Sequence, residues 1–485
     1  MRKFDHDGLL LAEYQGKLFE KSNELKCSTG IFMRRFLHSD LLKKLDINNP
    51  SILSLDVYEG IYSILEQFGD SSYGKVKYSK SALFWMGYMY RYISYTREQS
   101  TKFVVNLFNY KQMNDVYYSF HTQDPEWCIK SLLEINNLSE NIFYNNYRLK
   151  QIIKEKSRKV IGSYCKSCIT CNGKACSNKI PGPGAKGTGT VAIKNYDAWQ
   201  KLEVKMDTIA SNNEIDTSFE LFGKTFKYPV FAGPVGAVSQ HYSNLYNDNS
   251  FNEVYVNACV KSGIAAFTGD GLNEEIMIQA TRVIKENEGV GVPTIKPWDK
   301  ETCFEKLELA NESNAFAIAM DIDAAGLPFL QGRIPPSGRK SEEELKEIID
   351  YAKAPFIVKG IMSVEGAQKA INAGAKGIVV SNHGGRVLDG TPATATVLEE
   401  IADKFKGQVK IFVDGGIRSG LDVFKALALG ADAVIIARPF VNMIYGAGKE
   451  GVEAYVQQLG QELENAMMMT GVSSLKEISK KNIYK

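Results

Sequence analysis

The polar run that follows one apolar segment near residue 380 carries the groups best suited to chemistry. Residues 378–380 are Ile-Val-Val, an apolar run short enough for a buried parallel strand. His383, which follows it, can move a proton near neutral pH, and Arg386 can hold a carboxylate through two parallel hydrogen bonds. Because an isolated Asn-His-Gly is as often a capped strand end with a surface histidine, its meaning depends on the rest of the chain.

A second group with chemical potential is a run of cysteines. Four of the eight cysteines fall within twelve residues, namely Cys165, Cys168, Cys171 and Cys176. In a large chain such crowding favours a metal or redox site over a disulfide framework. Four thiolates suit tetrahedral Zn or an Fe–S cluster, and the close C-x2-C-x2-C run is nearer to ferredoxin spacing than to a zinc ribbon. The alternative is a set of reduced thiols or a disulfide.

Length and composition restrict the class of protein. A chain of 485 residues with 44% hydrophobic and 24% charged residues is typical of a globular protein with two or more domains. A net charge of +2 gives no strong attraction to nucleic acid or anionic membrane. No apolar run reaches the roughly 18 residues that span a bilayer, and the N-terminus lacks a signal-peptide core. We therefore expect a cytoplasmic protein.

The chain divides into three segments by pattern. Residues 1–160 have few glycines and apolar residues at helical spacing, which predicts a helical module of unknown role. Its aromatic-rich stretch 82–95 is expected to be core. Residues 161–228 form a lead-in rich in cysteine and glycine. From residue 229 to 485, short apolar strands alternate with amphipathic helices, which indicates parallel βα units.

Eight strands separated by helices predict an α/β fold of the (β/α)8 TIM-barrel type. The predicted strands are Pro229–Val235, Gly263–Thr268, Gly291–Ile295, Ala315–Asp323, Pro355–Lys359, Gly377–Ser381, Lys410–Asp414 and Ala433–Ala437.

Polar residues recur where five of these strands end, and active sites of such barrels lie at that face. A glycine-rich loop at 414–420 and Arg438 follow the last two strands, where such barrels bind phosphate. Lys359 would direct a cation across the barrel centre. FMN, which carries a phosphate and an electron-accepting ring, fits this arrangement.

Several motifs resemble a known family. They are Lys359-Gly360, Ser-Asn-His-Gly-Gly-Arg at 381–386, Leu388-Asp389, Pro392-Ala393-Thr394, Asp-Gly-Gly-Ile-Arg at 414–418, Asp-Val-Phe-Lys-Ala-Leu-Ala-Leu-Gly at 422–430, and Arg438-Pro439. Together they resemble the FMN-dependent α-hydroxy acid oxidases and dehydrogenases, which include glycolate oxidase and lactate oxidase. The resemblance is close over 355–483, weaker over 229–330, and absent before about residue 160.

The resemblance implies roles for individual residues. His383 would abstract a proton as electrons pass to flavin N5, Asp323 would steady the imidazolium, Arg386 would clamp the substrate carboxylate, and Lys359 would stabilise the reduced ring. The implied cofactor-binding set is Pro234, Val235, Gly236, Thr268, Thr294, Lys359, Ser381, Asp414, Gly415, Gly416, Arg418, Ala437 and Arg438. The implied substrate-binding set is His383, Arg386, Lys296 and Arg333. Thr294 and Lys296 stand where the family carries glutamine and tyrosine.

The resemblance implies an FMN-dependent oxidoreductase that converts a small 2-hydroxy acid to the 2-oxo acid. The electron acceptor stays open among O2, a quinone and a protein, and the resemblance implies a homo-oligomer. The small net charge predicts that neither nucleic acid nor membrane is a partner. Two alternatives are an FMN barrel with isomerase-like chemistry and a flavin-binding sensor or interaction protein. The His383 and Arg386 pair argues against the first, whereas the missing tyrosine leaves the second open.

Overall fold

The computed structural model describes residues 2–48, 50–138, 140–143, 146–162, 164–176 and 187–484. The chain forms two compact units, Met1–Asn145 and Asn146–Lys485. The first unit ends before the predicted boundary at residue 160, because the helix Asn146–Val160 packs within the second unit against the helix Arg438–Met469. Within the described ranges, no helix is both long enough and apolar enough to cross a bilayer.

The first unit is helical, as its sequence pattern predicts. Its described α-helices are His6–Ser22, Thr29–Phe36, Asp40–Asp46, Val57–Phe68, Lys80–Arg97, Thr101–Leu107, Tyr110–Phe120 and Pro125–Ile135, with short 3-10 helices at Pro50–Ser54 and Glu140–Phe143. The helix Lys80–Arg97 lies at the centre and packs on His6–Ser22. The aromatic stretch 82–95 supplies core, since Trp85, Tyr90 and Tyr95 are buried.

The second unit contains the eight predicted parallel strands. They are β1 Val230–Ala232, β2 Phe267–Thr268, β3 Val292–Ile295, β4 Ile318–Asp321, β5 Phe356–Ile361, β6 Gly377–Val380, β7 Lys410–Val413 and β8 Ala433–Ile436. From β2 to β8 each strand pairs with the next strand in sequence, and β8 pairs with β1. A parallel bridge between Ala232 and Ala266 joins β1 to the chain just before β2, which closes the circle. The (β/α)8 prediction is confirmed.

Helices cover the outside of this barrel. The α-helices of the second unit are Asn146–Val160, Val191–Lys201, Val238–His241, Asp248–Lys261, Glu274–Glu286, Lys300–Glu312, Glu342–Tyr351, Val364–Asn372, Thr394–Phe405, Gly420–Ala428 and Arg438–Met469. Short 3-10 helices lie at Ile322–Gly326, Pro328–Leu330, His383–Gly385, Leu475–Glu477 and Lys480–Asn482. Ser341 and Glu344 form a capping box at the start of Glu342–Tyr351.

Apolar side chains fill the barrel interior. The rings of Phe231, Phe267 and Phe412 meet with centroids 5.7 to 6.2 Å apart. The hairpin formed by Phe219–Leu221 and Lys224–Phe226 adds to this core, and the Phe226 ring lies 5.0 Å from that of Phe231. A second short pair joins Glu203–Val204 to Ile483–Tyr484. The packed interior is typical of such barrels, whose active sites lie at the carboxyl ends of the strands.

Candidate active site

A cavity of about 480 Å³ lies at the carboxyl ends of the strands. Its wall begins with the backbone of 233–236 after β1 and continues through residues at the ends of the other strands. Thirteen predicted site residues line it: Pro234, Val235, Gly236, Thr294, Lys296, Lys359, His383, Arg386, Asp414, Gly415, Arg418, Ala437 and Arg438. The volume and the mixed charge of this wall suit a ligand of cofactor size.

The histidine turn after β6 has an uncommon backbone. His383 has φ +53° and Gly384 has φ +63°, so both lie in the left-handed region. A non-glycine residue there costs of order 1–3 kcal/mol and persists only where the surroundings impose it. A reciprocal pair of amide hydrogen bonds at 2.8 and 2.9 Å joins Asn382 to Asn195 of the helix Val191–Lys201. The lead-in helix therefore fixes the turn that carries His383.

Two aspartates hold the imidazole of His383. Its Nδ1 lies 3.0 Å from Oδ1 of Asp323 and 3.6 Å from Oδ1 of Asp321. When Nδ1 carries the hydrogen, Nε2 of the neutral ring is left as the proton acceptor. The predicted pairing of His383 with Asp323 is present, and Asp321 is a second carboxylate at the same nitrogen.

Asp321 is the centre of the charge network. Its Oδ1 accepts a 2.7 Å hydrogen bond from Lys359 Nζ, and its Oδ2 lies 3.9 Å from Lys296 Nζ. Asp321 and Lys359 are register partners on β4 and β5, so the sheet itself brings them together. Burial alone would raise the pKa of Asp321, but the charges of His383, Lys359 and Lys296 outweigh it and lower the pKa.

The two lysines of this network differ. Burial opposes the charge of Lys359, yet the carboxylates of Asp321, Asp323 and Asp414 raise its pKa, so it is a fixed cation. For Lys296 burial is the largest influence and lowers its pKa, although Asp321 and Asp270 act in the opposite direction. Lys359 is therefore the stronger permanent positive charge of the pair.

Arg386 and His241 share one part of the wall. Burial lowers the pKa of Arg386 to about 10, which leaves the guanidinium charged at neutral pH. Burial, followed by the charge of Arg386, lowers the pKa of His241 to about 4, so its ring is neutral at neutral pH. The cavity thus offers a carboxylate one guanidinium next to an uncharged imidazole.

The residues present fit FMN. The hydroxyl of Thr268 and Oδ1 of Asp414 are buried without a hydrogen-bond partner among the described residues. Such groups are costly unless a ligand satisfies them, and ribityl hydroxyls and ring nitrogens can do so. A Cβ on Gly233 would lie 2.9 Å from Ile435, so only glycine lets this segment lie so close to β8. Arg418 and Arg438 supply the cations that a phosphate needs.

Five predicted residues lie behind the lining or away from it. Thr268 is fully buried at the end of β2, and Asp323 contacts the cavity through His383. Ser381 donates a 2.9 Å hydrogen bond to Asp414 and accepts one from the His383 N–H, so its hydroxyl supports the site from behind. Gly416 packs against the backbone of Asn195. Arg333 is exposed and is not among the described lining residues, so the structure does not bring it to the site.

The cysteine run lies beside this cavity. Arg418, which lines the cavity, donates a 2.6 Å hydrogen bond from Nε to the carbonyl of Cys171. The four thiols form no disulfide. Among the described residues, the potential ligands that converge within 4.8 Å are Asp321, Asp323 and His383, so the sulfurs do not form the tight tetrahedron that a single zinc ion requires.

Three supporting features were not identified from the sequence. Asp270 accepts hydrogen bonds from Trp298 at 2.7 Å and from Lys306 at 2.8 Å, and this holds the chain after β3. His241 is the last residue of the short helix Val238–His241, which follows β1. The pairing of Asn195 with Asn382 links residues far apart in sequence. Of these three features, only Asp270 could have been identified from the sequence, because it follows a predicted strand.

Comparison with known proteins agrees with this geometry. A family profile described as FMN-dependent dehydrogenase matches residues 183–335 and 329–485. The chain is 43% identical over 143 residues to a peroxisomal (S)-2-hydroxyacid oxidase of Arabidopsis thaliana, covering 30% of this chain and 39% of that relative. It is 49% identical over 137 residues to an L-lactate dehydrogenase of Xanthomonas euvesicatoria, covering 28% of this chain and 35% of that relative. The chain thus matches less than half the length of these relatives.

Solved structures show the same fold. A mandelate oxidase with (S)-2-phenylpropionate superposes with a TM-score of 0.57 at 24% identity, covering 69% of this chain and 97% of that chain. A mandelate oxidase variant with an FMN adduct superposes with a TM-score of 0.55 at 25% identity, covering 68% and 97%. Since the profile matches more than half of the chain, the protein belongs to the FMN-dependent dehydrogenase family.

Proposed function

We propose that this protein uses FMN to oxidise a small 2-hydroxy acid to the 2-oxo acid. The observation that carries the proposal is the pairing of His383 Nδ1 with Asp323 at 3.0 Å, in a cavity that Arg386 also lines. A base and a carboxylate-binding group in one cavity are what this substrate class needs. The names of the similar proteins, which include hydroxyacid oxidase and lactate dehydrogenase, support the same class.

Each charged residue has a separate task in the proposed reaction. Arg386 binds the substrate carboxylate and thereby orients the hydroxy-bearing carbon. Nε2 of His383 takes a proton from the substrate, and the two aspartates at its Nδ1 stabilise the positive charge that forms on the ring. When bound, FMN supplies the electron-accepting ring. Lys359 holds a permanent positive charge at the cavity wall, which favours negative charge developing nearby.

The residues at the end of β3 support a substrate that is a small acid but differs in structure from the family's usual substrates. Thr294 and Lys296 line the cavity where the family carries glutamine and tyrosine. The ammonium of Lys296 lies 3.9 Å from Asp321, so part of its charge is already compensated. Arg386 is then left as the principal carboxylate-binding group in the proposal.

Anaerobic mixing of the flavin-loaded protein with a panel of 2-hydroxy acids tests the proposal. At least one acid should bleach the visible absorption of the oxidised flavin in the wild type. His383→Gln should bind flavin equally well and bleach far more slowly, whereas His38→Gln, which changes an exposed histidine of the helical unit, should match the wild type. If no 2-hydroxy acid reduces the bound flavin, the proposed activity is wrong.

A further inference from the structure

The segment 165–176 is built around its four cysteines. The four cysteines lie within one stretch of twelve residues, and Cys171 lines a small cavity together with Lys154 and Arg418. The backbone N–H of Ser167 lies 3.4 Å from the sulfur of Cys165 and donates to it. Hydrogen bonds of this kind to cysteine sulfur are among the features that tune iron–sulfur centres.

A cationic helix face lies against this segment. Within the helix Asn146–Val160, Lys154 lines a small cavity with Cys171, and Arg158 Nε donates a 3.2 Å hydrogen bond to the Ser167 carbonyl. Ser157 and Ser167 share a buried 2.8 Å hydrogen bond that fixes the loop to the helix. Lys154 is 1% exposed, and burying a lysine is costly unless negative charge accompanies it. Four thiolates bound to a metal centre would supply that charge.

The cysteine sulfurs lack the close grouping that a single zinc ion requires. Around a single zinc ion with Zn–S bonds of about 2.3 Å, ligand sulfurs lie about 3.8 Å apart. Among the described residues, no three cysteine sulfurs lie within 4.8 Å of one another. In a cubane cluster each cysteine binds a different iron, so its sulfurs lie farther apart than around one ion. The C-x2-C-x2-C run also has the spacing of cluster-binding loops.

We infer that Cys165, Cys168, Cys171 and Cys176 hold an iron–sulfur cluster beside the flavin cavity. Arg418 connects the two sites, because it lines the cavity and its Nε donates to the Cys171 carbonyl.

The position of the cluster beside the flavin cavity gives it a role in electron transfer, and this role rests on the proposed function. Oxidation of one hydroxy acid releases two electrons and two protons. An iron–sulfur cluster exchanges one electron at a time, so the two electrons leave in two steps to two molecules of a one-electron carrier protein. The two protons pass to solvent, one of them through His383. With this route the enzyme would not need O2 as its direct electron acceptor.

The test is metal and sulfide analysis of the full chain purified without oxygen. The wild type should contain about four irons and four sulfides per chain and give an EPR signal after reduction with dithionite. Cys168→Ser and Cys176→Ser should each lose most of the iron and that signal while retaining FMN. The matched control is Cys128→Ser, whose thiol donates to the Phe120 carbonyl at 3.3 Å in the helical unit, a bond that a serine hydroxyl can also make.

Stoichiometric zinc without iron, or no metal at all, would overturn the cluster. Neither result bears on flavin reduction by a 2-hydroxy acid, so the cluster and the proposed activity fail separately. For the electron route, a 2-hydroxy acid that bleaches the flavin should produce the dithionite-type EPR signal anaerobically. A cluster that stays oxidised while the flavin is fully reduced would refute the route.

Discussion

The helical unit buries arginine side chains and the mouth of the barrel buries lysine and arginine side chains, and the partners of those side chains differ. In the helical unit, Arg91 is 1% exposed and donates hydrogen bonds to Gln15, to the Leu45 carbonyl, to Asp46 and to Thr101. These partners belong to the same unit, and together they engage every nitrogen of the guanidinium.

At the mouth of the barrel only some of the buried polar groups have hydrogen-bond or ion-pair partners. Asp321 balances Lys359 and Lys296, yet the hydroxyl of Thr268, Oδ2 of Asp323 and Oδ1 of Asp414 are buried without a partner among the described residues. A buried polar network in which every group has a partner stabilises the fold, whereas a network with unpaired groups costs free energy. The comparison therefore shows which buried charges serve the fold. The incomplete set surrounds a cavity and is suited to a ligand.

The largest expected effect is on catalysis. His383→Gln should slow flavin reduction by a 2-hydroxy acid about a thousandfold, since a positioned general base contributes roughly 10²–10⁴. Its thermal stability should change little, because His383 borders the cavity. Stopped-flow absorbance and a thermal melt measure the two quantities. A variant that reduces its flavin at the wild-type rate would remove His383 from the chemistry.

For the complete hydrogen-bond network of Arg91 we expect the opposite result, an effect on stability. Arg91→Met should lower the free energy of unfolding by about 3 kcal/mol, because it leaves the Asp46 carboxylate without its cation. The matched control Lys346→Met breaks an exposed 3.0 Å ion pair with Asp350 and should have no measurable effect. Chemical denaturation compares the two. Equal stability of both variants would show that the Arg91 network contributes nothing to the fold.

The buried position of His241 predicts that the stability of the protein depends on pH. Its pKa falls from about 6.5 when unfolded to about 4 when folded, so below pH 6.5 the unfolded chain binds more protons. Stability should therefore fall as the pH drops from 7 to 4, and His241 should account for about 3 kcal/mol of that loss. Denaturation of the wild type and His241→Gln at both pH values isolates this share. Identical losses in the two proteins would contradict the predicted neutral imidazole.

A smaller effect is expected from the carboxylate behind the base. Asp323→Asn should slow flavin reduction about 30-fold, because a hydrogen bond to a charged group contributes about 2 kcal/mol. FMN binding should be unchanged, since Asp323 is not among the described lining residues. If Asp321→Asn slows the reaction more than Asp323→Asn does, then Asp321 is the principal partner of His383.

The sequence predicts the architecture well and the side-chain contacts less well. The strands of the barrel and the helical unit follow from hydrophobic periodicity, which is a property of local sequence. The predicted strand Ala315–Asp323 contains Asp321 and ends at Asp323, but only the register with β5 shows that Asp321 pairs with Lys359.

The remaining discrepancies have the same origin. Ser381 and Gly416 stand next to lining residues, and whether a side chain faces the cavity or the layer behind it depends on backbone angles that composition does not reveal. Arg333 is predicted from the resemblance alone, and the structure places it in solvent. Asn195 and Asn382 are distant in sequence and come together only when the lead-in helix packs on the barrel.

Flavin binding tests the central claim most directly. Protein stripped of flavin should take up one FMN per chain, and Arg438→Ala, which removes a cation from the cavity wall, should bind it more weakly than the wild type. Arg34→Ala, an exposed arginine of the helical unit, should bind FMN as the wild type does. If the wild type takes up no FMN, the unmatched polar groups at the mouth of the barrel do not form a flavin site, and the account is wrong.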